Sequence, residues 1–229
     1  MKDLKAFYKP KGMSSFQLVS RVRRLIGGQK VGHGGTLDPL AEGLMVLGIG
    51  REGTKKLAFI LNKEKKEYEA VFRLGAISET YDSEGPITEN LEFRSAGRRM
   101  NFELADLKDV LKKFIGEIEQ TPPIYSAIKI GGKRAYKLAR QGKDFVLKPR
   151  PVFIEKIEIL DYSPPDLSLR INCGAGVYIR SLANDFGQAI GAGAYLKELK
   201  RTKIGEFTLA DAIHLEDFEK NPNLLDSIE

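Results

Sequence analysis

Val31–Leu44 reads VGHGGTLDPLAEGL, and the organisation of the chain is read outward from it. Gly32, Gly34 and Gly35 leave the backbone free to take positive φ and to approach a ligand closely. Asp38 stands between Leu37 and Pro39, and a proline pushes the residue before it towards an extended conformation. Leu44–Ile49 is apolar without a break, as in a strand buried on both faces. One carboxylate is therefore expected on a rigid turn at the mouth of a core strand. Taken alone, an Asp-Pro in a loop is more often a turn cap than a reactive group.

The 229 residues are enough for one large or two small domains with a substantial core. A content of 42% hydrophobic and 30% charged residues is that of a globular protein. No apolar run approaches the length of a membrane span. The opening MKDLKAFYKPKG lacks the apolar core of a signal peptide, so a cytoplasmic location is expected. A single cysteine, Cys173, excludes an internal disulfide, and two histidines argue against a structural zinc site. Cys173 closes the alternation Leu167, Leu169, Ile171, so packing is its expected role.

The net charge of +6 is unevenly placed. Between Thr121 and Arg150 stand Lys129, Lys133, Arg134, Lys137, Arg140, Lys143, Lys148 and Arg150 against one acid, Asp144. That stretch carries +7, which leaves −1 for the rest of the chain. A localised basic patch is the footprint of a polyanion-binding surface; the alternative is a solvated basic face.

Ser14 is a candidate N-cap with Gln17 completing a capping box, and Phe16, Val19, Val22 and Ile26 recur at helical spacing up to Gly27-Gly28. Gly48–Gly53 satisfies GxGxxG and precedes a short helical stretch, Thr54–Leu61. A dinucleotide site needs repeated βα units, and Tyr68–Leu74 instead alternates like a half-exposed antiparallel strand, so a turn is expected. Thr80–Gly85 reads as a loop without chemistry. Leu104, Leu107, Leu111 and Phe114 mark an amphipathic helix ending at Gly116. Gly131-Gly132 makes a hairpin turn, followed by a helix over Arg134–Gln141. Strands are expected over Val152–Leu160 and Leu167–Cys173, then a glycine-rich turn into a helix through Arg180, and a turn and helix over Gly191–Arg201.

GHGGTLDPLAEGL resembles the catalytic loop of the TruB family of tRNA pseudouridine synthases. KPKGMSS, KEYEA around Tyr68, the block from Gln120 to Lys129 and GAGVYIRSL around Arg180 match further motifs in family order, from about Tyr8 to about Leu215. The resemblance implies an α+β pseudouridine synthase fold, with a mixed, mainly antiparallel central sheet flanked by helices and loops. It implies a single catalytic domain over 1–229, in which a basic insertion at about 121–150 grips the tRNA T-arm. A C-terminal RNA-binding domain of the PUA type is not expected, because the chain ends at Glu229 without room for one.

By the same resemblance Asp38 is the nucleophile and Arg180 pairs with it. Tyr68 stacks on the target base, and either it or a water takes the proton from carbon 5. Tyr178 and Leu199 border the base pocket. His33 holds a place within the displaced tRNA loop or caps its own turn, and Lys9 either touches phosphate or is structural. An arginine beside a carboxylate keeps it ionised, as covalent catalysis in a dry site requires. Extruding a buried uridine costs a few kcal/mol and demands an aromatic pocket to receive it.

No cofactor, metal or protein partner is implied, and tRNA is the expected partner. The leading reading is a stand-alone enzyme converting uridine 55 of the T-loop, with attack on sugar or base left open. An RNA-folding chaperone with dispensable catalysis and a guide-RNA-dependent subunit are the alternatives.

Overall fold

The helix expected after Ser14 is present as α1 (Ser15–Leu25) in the computed structural model, which describes residues 3–60, 64–91, 102–222 and 224–227. Its capping box is complete: Gln17 N–H donates to Ser14 Oγ (3.2 Å), and Ser14 N–H donates to Gln17 Oε1 (2.7 Å). The expected face is buried at Val22 and half-buried at Val19 and Ile26, but not at Phe16. Leu18 and Val22 are fully enclosed, one helical turn apart, whereas Phe16 is 75% exposed. Gly27 (φ 69°) and Gly28 (φ 81°) end the helix in the left-handed region.

The chain forms two compact units: Met1–Glu69, Asn172–Ala175 and Leu199–Glu229 in the first, Ala70–Ile171 and Gly176–Glu198 in the second. The first is built on the apolar run identified in the sequence. β1 (Leu4–Lys9) lies antiparallel to β3 (Glu42–Ile49), with Leu4 opposite Gly48 and Lys9 opposite Gly43. β2 (Val31–His33) pairs with the far end of β3, Val31 opposite Ile49. Leu44, Met45, Val46 and Leu47 are all inaccessible, as a strand covered on both faces requires. Phe7 of β1 meets Phe218 edge to face at 5.4 Å.

Helix α2 (Gly50–Ile60) begins at Gly50, four residues before the expected Thr54, and the expected end at Leu61 lies outside the described residues. Gly48 and Gly53 have no room for a side chain: a Cβ on Gly48 would strike the Gly53 carbonyl, and one on Gly53 the Asp3 carbonyl. Backbone packing explains Gly48 and Gly53, while Gly50 takes positive φ (71°) and opens a helix where a turn was expected.

The largest correction concerns Gly191–Arg201. Ala194–Ile204 is a β-strand, not a helix. Its first-unit part pairs parallel with β3, Lys200 opposite Glu42 and Arg201 opposite Gly43. Helix-forming Leu, Lys and Glu residues are overridden there by sheet pairing. With β1 antiparallel and this strand parallel to β3, the sheet is mixed, and the class is α+β.

β4 (Lys66–Leu74) alternates buried and half-buried positions throughout, as expected. In the second unit Gly116–Gln120 pairs antiparallel with Arg150–Ser163, Gln120 opposite Arg150. Phe186, on the helix Ile179–Ala189, packs against Phe72 and Phe114 with centroids 6.1 and 6.5 Å away. Lys129–Ile130 and Lys133–Arg134 close the expected hairpin through Gly131 (φ 53°) and Gly132 (φ 82°). Among the described residues no helix is long and apolar enough to cross a membrane.

Gly43 has φ 106°, and a Cβ there would run into the Arg201 carbonyl and lie 2.9 Å from the Arg201 nitrogen. Gly43→Ala is expected to destabilise the protein by ~1–3 kcal/mol or more, as read by urea denaturation, because left-handed strain and a backbone clash coincide.

Candidate active site

Asp38 sits on the loop joining β2 to β3, and the backbone on each side of it is fixed. Ser15 Oγ, at the start of α1, donates to the Leu37 carbonyl (2.8 Å) and accepts from the Leu37 N–H (2.9 Å). Gly12 N–H donates to the Pro39 carbonyl at 2.7 Å, and Ala41 N–H donates to the Asp38 carbonyl at 3.1 Å. Leu37, Leu40 and Ala41 are buried, while Asp38 itself is half-buried. A carboxylate on so constrained a loop is held still yet accessible, as the sequence reading requires. Of the three loop glycines, only Gly35 takes positive φ (90°).

Tyr68 of β4 is buried in the same unit. Burial pushes its hydroxyl above the ordinary phenol range; the Arg201 charge and hydrogen bond oppose this, and the Asp38 charge adds to it. Tyr68 and Asp38 are thus close enough to sense one another. Leu199 is buried in this unit too. Burial, then the Arg201 charge, lowers the His33 imidazole below its ordinary value, and its Nδ1 has no hydrogen-bond partner. Lys9 is structural: its inaccessible ammonium donates to the carbonyls of Met13 (2.6 Å) and Pro10 (3.0 Å), so the phosphate role is set aside.

Arg201, which the sequence reading placed in a helix without a role, is 1% exposed. Its Nε donates to the Leu44 carbonyl (2.8 Å) and its Nη2 to the Gly35 carbonyl (3.1 Å). Lys66 is also buried, and its ammonium is pushed down by burial and then by Arg201. Burial pushes the Cys173 thiol up to about 12, against the pull of Lys66 and Arg201, which fits the packing role expected for it.

In the second unit Arg180 is buried in the first turn of Ile179–Ala189. Its Nη1 lies 3.2 Å from Asp82 Oδ2 and donates to the Thr80 carbonyl (3.1 Å), while Nη2 donates to the Tyr125 carbonyl (3.1 Å). Asp82 accepts further hydrogen bonds from Thr80 Oγ1 and the Glu84 N–H. The loop read as carrying no chemistry therefore holds a fully buried carboxylate on Arg180. Thr80 and Asp82, two residues apart in an Asx-type turn, were the available signal. Tyr178 is half-buried, with its N–H donating to Gln120 Oε1 (2.8 Å) and its carbonyl accepting from Gln120 Nε2 (3.1 Å). Lys129, Lys133, Arg134, Lys137 and Arg140 are all exposed, and the Arg140 guanidinium lies over the Tyr136 ring at 5.8 Å.

A clamped, half-exposed carboxylate within electrostatic reach of a buried tyrosine makes this loop the candidate site. The description TruB family pseudouridylate synthase (N terminal domain) matches residues 23–179, and tRNA pseudouridylate synthase B C-terminal domain matches residues 180–227. The chain is similar to tRNA pseudouridine synthase B of Corynebacterium diphtheriae, 43% identical over 94% of this chain and 72% of the relative. It is 44% identical to that of Dehalococcoides mccartyi, over 92% of this chain and 68% of the relative.

Among solved structures it is similar to a chain of a Cbf5–Nop10–Gar1 complex, with 28% identity and a TM-score of 0.73 over 99% of this chain. It spans 57% of that chain's length. The chain belongs to the TruB family of pseudouridylate synthases. Its enzymatic class is isomerase.

Two outcomes follow from the geometry. Asp82→Ala leaves the buried Arg180 cation without its carboxylate, and a loss of ~3–5 kcal/mol is expected in chemical denaturation. His33 favours the neutral form when folded, so the unfolded chain takes up the proton first as pH falls below 6.5. Stability should therefore decline from about pH 7.5 to about pH 5.5, and His33→Gln should flatten that slope in urea titrations at both values.

Proposed function

We propose that the protein isomerises uridine 55 in the T-loop of tRNA to pseudouridine, stand-alone and without a guide RNA, with Asp38 as the nucleophile. The observation that carries this reading is the fixation of the Asp38 loop on both sides by Ser15 and Gly12, next to Tyr68. The tRNA-directed names of relatives above 40% identity support the substrate.

In the reaction the bond from N1 of uracil to C1′ of ribose breaks, the base turns, and a bond from C5 to C1′ forms. The C5 proton leaves and N1 gains one, so atoms balance without an oxidant. Asp38 supplies the electron pair of a transient covalent bond and is regenerated when the base rejoins. Tyr68 and Leu199 form the surface that receives the flipped base. The exposed Lys129, Lys133, Arg134, Lys137 and Arg140 grip the T-arm backbone, each neutralised phosphate adding salt-dependent affinity.

The test is tritium release from a T-arm stem-loop carrying uridine labelled at C5, with wild type beside Asp38→Asn. Release by wild type alone is expected. Equal release by both would remove Asp38 from the mechanism. RNA bound by both without release would favour a chaperone or a guide-dependent subunit.

A further inference from the structure

Arg201 takes no part in the chemistry above, yet its guanidinium holds the chain on both sides of the Asp38 turn. Nη2 donates to the carbonyl of Gly35, three residues before Asp38, and Nε to that of Leu44, six residues after it. The charge of the same group acts on the Tyr68 hydroxyl. Its backbone is fixed independently by parallel pairing with Gly43, whose missing side chain permits the approach. A Cβ on Gly35 would sit 3.4 Å from Nη1, so the loop runs directly along the guanidinium.

We infer that Arg201 is a positioning residue for the isomerisation: one planar fork ties together the two ends of the Gly35–Leu44 segment and so sets where the Asp38 carboxylate stands. This rests on the reading of Asp38 as nucleophile. Two carbonyls nine residues apart in the chain call for N–H donors in a fixed plane. A lysine brings the same charge as a single point and cannot span them. A shift of about 1 Å in a reacting group is enough to cost ~100-fold in rate. The Arg201 charge also contributes to the lowered Lys66 and His33 values, so it is an electrostatic as well as a geometric centre of this unit.

The experiment measures kcat and KM on a tRNA transcript tritiated at uracil C5, for wild type, Arg201→Lys, Arg201→Met and Asp38→Asn, with a thermal melt of each. Arg201→Lys is expected to fold and to bind, with KM within about threefold of wild type and kcat lowered ~10–100-fold. Arg201→Met should lose at least as much. Near-normal kcat in Arg201→Lys would overturn the inference, since charge alone would then suffice. So would a rise in KM at unchanged kcat, or failure of both variants to fold, either of which marks general support rather than positioning. Should Arg201→Met alone unfold, Arg201→Lys decides. An inactive Asp38→Asn beside a fully active Arg201→Lys sinks only this inference. Turnover by Asp38→Asn sinks the nucleophile reading on which it stands.

Discussion

The turn that carries Asp38 is fixed while its side chain stays half-exposed, and the Ser15 hydroxyl bears most of that constraint. It satisfies both polar groups of the Leu37 peptide in a buried setting, where an unmade hydrogen bond costs ~1–3 kcal/mol. Ser15 is itself placed by the cap of α1, since the exchange between Ser14 and Gln17 fixes where the helix begins. The local sequence Ser14-Ser15-Phe16-Gln17 thus acts at a distance of 22 residues along the chain. A helix cap, ordinarily a matter of helix stability, becomes part of how the Asp38 turn is held.

The second constraint is electrostatic. Lys9, Lys66 and Arg201 are all buried in one unit, and desolvating cations is unfavourable by several kcal/mol each before partners are counted. Lys9 and Arg201 recover part of this through backbone carbonyls, which are the negative ends of peptide dipoles. Apolar residues of similar volume would stabilise the fold at least as well. Cations here serve instead to bias nearby groups: His33 towards its neutral form and Tyr68 away from the full effect of its burial.

Local rules made much of this legible. The Ser14 cap, the apolar β3, the alternation of β4 and the Gly131-Gly132 hairpin each depend on residues within a few positions of one another. What stayed hidden depends on pairing across the chain. Ala194–Ile204 contains Leu, Lys and Glu in proportions that suit a helix, and only β3 beside it makes it a strand. Read at the two-residue period, Leu199 and Arg201 fall on one side, which would have announced a charged side chain facing inward. Asp82 was missed because a loop carboxylate is solvated by default; its burial comes from Arg180, 98 positions on.

Tyr81 carries this last point further. It is the non-glycine residue with positive φ (65°) among the described residues, a conformation that costs ~1–2 kcal/mol. Its carbonyl accepts from Leu196 N–H at 2.9 Å, and Ser83 N–H donates back to Leu196 at 3.0 Å, so the strained residue is pinned on both sides of Asp82. The turn so formed points the Asp82 carboxylate inward, where Arg180, Thr80 and the Glu84 amide complete it. Strain of this kind persists only where its surroundings over-determine it. Here it secures a buried charge that Arg180 needs, and Arg180 in turn needs that charge to stay fixed within the first turn of its helix. The conformational cost of one tyrosine is therefore offset by the ion pair that it makes possible.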